Sequence, residues 1–209
     1  MDRPISQTVV SGLHTRLVLS RRLRVLSEQA LRLLPDSGTV LDVGCGNGII
    51  SRHIMDMRPQ LCIQGIDVLS RPSCAIPMEL YDGCRFPFEN NSFDVVMFMD
   101  VLHHTDNALR LLQEAARVCK QSIIVKDHLC DSALAKHTLT FMDWIGNRSH
   151  GVALPYNYWS SGHWLQAWQE LGATPDTTIS NIGLYPWFAK PFFENGLHFI
   201  SRLPFTRGV

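Results

Sequence analysis

Thr39-Val40-Leu41-Asp42-Val43-Gly44-Cys45-Gly46-Asn47-Gly48 decides the fold. Its first five residues form a short apolar, β-branched run of the kind buried in a parallel sheet. The glycines then turn into a helix whose apolar Ile50, Ile54 and Met57 are spaced four and three, ended by Pro59. Leu61–Asp67 reads as a second strand, so strand, helix and strand in sequence predict a right-handed crossover and parallel pairing. Upstream, Leu19, Leu23, Leu26, Ala30 and Leu33 lie on one helical face, and Arg21, Arg22, Arg24 and Arg32 read as a mostly solvated face. Downstream, Met78–Tyr81 gives a weak third strand. Phe93–Met99 gives a strong fourth, preceded by the turn Glu89-Asn90-Asn91-Ser92. A helix through Ala108, Leu111, Leu112, Ala115 and Val118 leads to a fifth strand at Ile123–Val125, and this alternation specifies an open α/β sheet. From about Leu129 to Gly162 the rhythm breaks, and the stretch reads as an insertion over the edge where ligands bind. Beyond it, His163–Leu171 is expected as a helix, with Thr177–Ile182 and Leu197–Arg202 as strands six and seven.

The chain has 209 residues, 45% of them hydrophobic, enough for one buried core, so a single domain over residues 1–209 is expected. Lys plus Arg and Asp plus Glu each number 19, a balance that argues against a polyanionic partner; no nucleic acid is expected. No apolar run reaches the roughly 18 residues of a membrane span, and Arg3, Arg16 and Arg24 interrupt any signal-peptide core. The expectation is a cytoplasmic protein. Six cysteines (45, 62, 74, 84, 119 and 130) without a C-x-x-C pair fit reduced thiols better than a zinc knuckle, so no metal is expected.

A glycine loop between strand and helix brings backbone N–H groups close to a ligand. The dinucleotide fingerprint fails here because Ile49 stands at the third glycine position, with Gly48 one place early, and no Gly-Lys-Ser/Thr is present for a phosphate loop. Asp42, just before the loop, would repel a pyrophosphate and suits a ligand carrying positive charge.

The stretch from Val40 to Gly48 resembles the first motif of class I S-adenosylmethionine (SAM) dependent methyltransferases. The resemblance continues in order. Asp67 ends the second strand, as does the family's ribose-binding acid, with Val68 beside it. Tyr81-Asp82-Gly83 is similar to the segment near the adenine amino group, and Phe86-Pro87-Phe88 to the loop before strand four. Asp100-Val101-Leu102-His103-His104 resembles the segment after that strand in the subgroup that includes the quinone-biosynthesis methyltransferases. The resemblance implies a Rossmann-like α/β fold: a seven-stranded, mostly parallel sheet, an antiparallel last strand, and helices on both faces. It implies SAM as cofactor, held at Asp42, Gly44, Cys45, Gly46, Asp67, Val68, Asp82, Gly83 and Asp100. One departure is that Cys119-Lys120-Gln121-Ser122 replaces the family's Lys-Pro-Gly-Gly turn before strand five. Residues 129–209 carry no family motif, so the acceptor is not implied.

Methyl transfer from a sulfonium is an in-line displacement with a neutral leaving group, so positioning dominates. An acceptor that must lose a proton needs a base. His103 and His104 at the end of strand four, and Asp127 and His128 at the end of strand five, are the candidates, with His104 ranked first. The expected reaction is methylation of a small molecule at O, N or C. The rival readings are a non-catalytic SAM binder, a nicotinamide-dependent oxidoreductase and an RNA methyltransferase. The segment Trp144 to Trp159 is expected to cover the methyl-donating end, with Tyr156, Tyr158, Asn147, Arg148, His150 and Asn157 orienting the acceptor. Gly146, Gly151 and Gly162 give this cover places to bend. Pro186-Trp187-Phe188 and Pro191-Phe192-Phe193 leave an aromatic or lipid-linked acceptor and a peripheral membrane contact open.

Overall fold

The computed structural model describes residues 20–147 and 155–205. Alternation along the strands dictates the layering. In β4 (Phe93–Met99), Val96 and Phe98 enter one apolar layer, while Val95 and Met97 enter the other. Beside β4 lie β1 (Gly38–Val43) and β5 (Cys119–His128), and the outer positions go to β2 (Leu61–Asp67), β3 (Met78–Leu80), β6 (Thr177–Ile179) and β7 (His198–Pro204). The sheet order is β3-β2-β1-β4-β5-β7-β6. Strands β1 to β5 pair in parallel, and β7 runs antiparallel between β5 and β6.

Helix α1 (residues 20–33) buries Leu26, Ala30 and Leu33 in the same layer as Ile54 of α2 (Ile49–Met57). The opposite face is covered by α3 (Ala108–Val118) and α5 (Ser161–Glu170), through Leu112, Ala115, Trp164 and Trp168. Helices α4 (Ala133–Asn147) and α6 (Lys190–Phe193) complete the chain. Leu139 of α4 packs with Leu197 in a small third cluster.

Four expectations are corrected. Cys119-Lys120-Gln121-Ser122 is no turn but the start of β5: Cys119 pairs with Phe93 and Ser122 with Val95, and a bulge absorbs the extra residue. Strand β6 stops at Ile179, short of Ile182, whose carbonyl accepts a hydrogen bond from Gln29 Nε2 of α1 at 2.9 Å. Arg21 and Arg22 are half-buried and engaged rather than free on a solvated face: Arg21 donates to the Leu184 and Gly183 carbonyls at 3.0 and 2.9 Å, and Arg22 pairs with Asp100. The insertion after β5 is partly helical, since α4 occupies residues 133–147. Leu19, Arg148, His150 and Gly151 lie outside the described residues.

Candidate active site

The loop after β1 is held in shape by two close approaches. Gly44 has φ 70°, and a Cβ there would lie 2.7 Å from the Val101 methyls. Gly65 of β2 leaves room for Cys45, whose sulfur a Cβ at residue 65 would meet at 2.4 Å. Cys45 is thus a packed loop residue, and burial pushes its thiol pKa up, away from the reactive thiolate. Asp67 at the end of β2 accepts from the Gly46 N–H at 2.8 Å and from the Leu69 N–H at 2.9 Å, tying the loop to the strand. Beneath the loop, buried Asp42 accepts from Ser51 Oγ at 2.6 Å. Its burial, opposed by that bond and helped by the neighbouring Asp67 charge, pushes its pKa up to about 7. At the far side of the crevice Asp82 is exposed and accepts from the Cys84 and Arg85 N–H groups, both at 2.8 Å, around Gly83 at φ 78°. Val68 and Leu69, beside Asp67, expose apolar side chains.

A second constellation closes the carboxyl ends of β4 and β5. Asp100, a non-glycine residue at φ 59°, pairs with Arg22 from α1 and with fully buried Lys126 from β5. Burial works against ionising Asp100, but the two cations outweigh it and hold its carboxyl well below the usual range. Asp127 accepts from the Leu102 N–H at 3.0 Å, from the His128 N–H at 2.8 Å and at His103 Nδ1 at 2.7 Å. It thereby fixes the 3-10 turn Leu102–His104 against β5. Burial of His103 disfavours its charge, yet Asp127 and then Asp143 raise its pKa above the ordinary histidine value. His104, its ring 4.0 Å from that of His103, is shifted down by burial and by that neighbour.

Asp143 reaches in from α4 and accepts from Tyr158 Oη at 2.5 Å. The Tyr158 ring stacks 5.6 Å from His103. Just before it, the Asn157 N–H donates to the His103 carbonyl at 3.3 Å. The described end of the expected cover therefore lies directly on the strand-four turn. His128 and His198 share a 3.0 Å Nδ1 to Nδ1 hydrogen bond, and His198 Nε2 lies 2.9 Å from the Phe193 carbonyl. Because a carbonyl only accepts, His198 carries its proton on Nε2. Its Nδ1 then accepts, with His128 Nδ1 at 3.0 Å and Lys126 Nζ at 3.3 Å as the donors at hand, and with His128 donating from Nδ1 its lone pair lies on Nε2, 3.6 Å from Asp100 Oδ1.

The structure thus brings Asp42, Gly44, Cys45, Gly46, Asp67 and Val68 around one loop, with Asp82 and Gly83 at its far edge, and gathers Asp100, His103, His104 and His128 at the neighbouring strand ends. Sequence reasoning missed Arg22, Lys126, Asp143 and His198. Lys126, a cation directly after the apolar Ile123-Ile124-Val125 run, was the one legible signal.

A glycine loop after β1, an acid ending β2 and a sheet of order 3-2-1-4-5-7-6 are the architecture of the class I SAM-dependent methyltransferase fold. The family model described as "Methyltransferase domain" matches residues 15–178, and the chain belongs to that family. A tRNA (carboxymethyluridine(34)-5-O)-methyltransferase of Schizosaccharomyces pombe is 29% identical over 96 residues, 44% of this chain and 41% of the relative. The chain therefore spans less than half the length of that curated relative. Among solved structures, the methyltransferase in complex with the Haloferax volcanii Trm112 activator superposes with a TM-score of 0.65 at 14% identity, covering 96% of this chain and 97% of that one. A SAM-dependent methyltransferase from Mesorhizobium loti gives 0.62 at 16% identity, over 85% and 96%. At these identities the structures speak to the fold.

Proposed function

We propose that the protein transfers the methyl group of SAM to a small-molecule acceptor seated at the carboxyl ends of β4 and β5. One observation carries this reading. The acceptor end is lined by Asp100, Asp127 and Asp143, and the two cations there, Arg22 and Lys126, are both engaged by Asp100. The charged groups at this end are paired with one another and largely buried, so the end presents no exposed row of cations to a phosphate backbone, which disfavours a polynucleotide. In this reading the glycine loop holds the methionine part of SAM, with Asp42 facing its positive charge. Asp67 takes the ribose hydroxyls once the Gly46 and Leu69 N–H groups share it, Val68 packs on the adenine, and Asp82 with Gly83 flanks the adenine edge. His103, His104 and His128 face the acceptor, and the segment around Tyr158 covers it. Cys45, Cys62, Cys74, Cys84, Cys119 and Cys130, none of them disulfide-bonded, fit a reducing compartment such as the cytoplasm. Among the described residues, no helix is long and apolar enough to cross a membrane.

Incubating the purified protein with methyl-labelled SAM and, separately, a small-metabolite extract or total tRNA and rRNA tests the proposal. Label is expected in the metabolite fraction. Label found only in RNA would overturn the small-molecule reading and favour an activity like that of the tRNA-modifying relative.

A further inference from the structure

We propose that His103, His128 and Asp143 bind a first-row divalent metal ion, zinc by preference, at the acceptor end of the site; the proposal rests on the methyl-transfer reading above. One potential ligand atom from each residue lies within 4.8 Å of the other two, and all three residues are buried. They arrive from three different elements, the 3-10 turn, β5 and α4, so no spacing in the sequence announces them. The expectation of no metal rested on the cysteines, none of which takes part.

Donor bookkeeping leads to the ion. Asp127 accepts at Nδ1 of His103, which directs the other ring nitrogen toward Asp143. The relay from the Phe193 carbonyl through His198 leaves His128 with its lone pair on Nε2. His103 Nε2 is buried and has no hydrogen-bond partner. It stands 3.4 Å from Asp143 Oδ2 without making a hydrogen bond. Two ligands at about 2.1 Å from a tetrahedral ion are about 3.4 Å apart, so this separation suits a shared metal. Three side chains that can each donate an electron pair to one ion thus converge. The Asp127 to His103 contact is the carboxylate support that metal-bound histidines normally have, and Tyr158 supplies the corresponding bond to Asp143.

Two imidazoles and one carboxylate suit zinc and its neighbours in the first row better than magnesium or calcium, and three protein ligands leave a position open. An acceptor hydroxyl or thiol bound there gives its proton to water. Its lone pair forms the bond to the methyl carbon, and the carbon–sulfur pair returns to the sulfur of SAM, leaving the neutral thioether.

The test uses the full chain stripped by a chelator, titrated with Zn²⁺ by calorimetry and with Co²⁺ by absorption. S-adenosylhomocysteine (SAH) is titrated against the same samples. One ion per chain is expected, with cobalt bands of nitrogen and oxygen ligation and without thiolate charge transfer. Asp143→Ala and His128→Gln should each weaken metal binding by at least about 100-fold, while melting cooperatively and binding SAH as the parent does. Thiolate bands, no binding by the parent chain, or equal affinity in the folded variants would overturn the metal site. Where those variants do not fold, Tyr158→Phe replaces them, and a metal affinity unmoved by that change counts against the site. Failure of the parent chain to bind SAH would instead overturn the methyl-transfer reading, whatever the metal does.

Discussion

Asp42, a buried carboxylate beneath the glycine loop, would couple cofactor binding to a proton in the proposed reading. Raised from its ordinary 3.8 to about 7, it binds a proton in the folded chain that it has released in the unfolded one throughout that window. Stability therefore falls as pH rises from about 4 to 7, by up to about 1.4 kcal/mol per pH unit. Asp42→Asn should flatten this slope, with a higher urea midpoint than the parent at pH 8 and little difference at pH 4. A parent profile that does not fall between those values would contradict the assignment. A cationic ligand favours the ionised form, so the affinity for SAM should climb toward pH 7 more steeply than that for SAH, which lacks the sulfonium charge. Asp42, Asp67 and Gly44 were singled out because they sit at fixed places in a strand, glycine loop, helix and strand run, even though Asp67 meets Gly46 from 21 residues away. Asp143 was not: its partner Tyr158 is fifteen residues away, and His103 lies on another element. Arg22 likewise reads as a surface residue until Asp100, 78 positions later, meets it.

Elements differ in how much of themselves the chain reveals. Strand β5 read as three residues and is ten long, because Lys126-Asp127-His128 looks like solvent-facing polarity, whereas each of these side chains is buried against a partner. The loop between β1 and α2 depends on β2 leaving a gap at Gly65. Gly65→Ala should destabilise the fold by about 1–3 kcal/mol through overpacking and weaken SAH binding. Cys45→Ala in the same chain should recover part of the melting temperature by removing the sulfur it strikes. No recovery would place the strain elsewhere. The segment after α4 is tethered by the Tyr158 hydroxyl. Tyr158→Phe removes a bond to a carboxylate, of about 1.5–3 kcal/mol, so hydrogen exchange at residues 156–160 should accelerate while SAH affinity holds. Unchanged exchange would mean that backbone contacts, such as Asn157 to His103, hold the segment by themselves.

For the molecule as a whole, cofactor binding should report on the entire sheet, since the crevice is walled by β1, β2 and β4. Saturating SAH at 100 times its dissociation constant should stabilise the chain by about 2.7 kcal/mol and raise its melting temperature by several degrees, whereas NAD at the same concentration should not. The opposite ranking would restore the oxidoreductase reading. Residues 39–128 disclosed the topology because β1 leads through α2 to β2 and β4 leads through α3 to β5, two strand, turn and helix units that the apolar spacing reveals, although no helix separates β2, β3 and β4. The remainder disclosed less, since its strands are antiparallel, β6 is only three residues long, and their order inverts in space. That inversion also bears on synthesis. The hydrogen-bonding edge of β5 receives its neighbour only when β7 has been made, 76 residues after His128 and up to Pro204. At about 5–20 residues per second, a nascent chain carries this ten-residue strand with an unmatched edge for about 4–15 s. Until β7 is made, the sheet stays open at β5, and its pairing between β5 and β6 closes that edge.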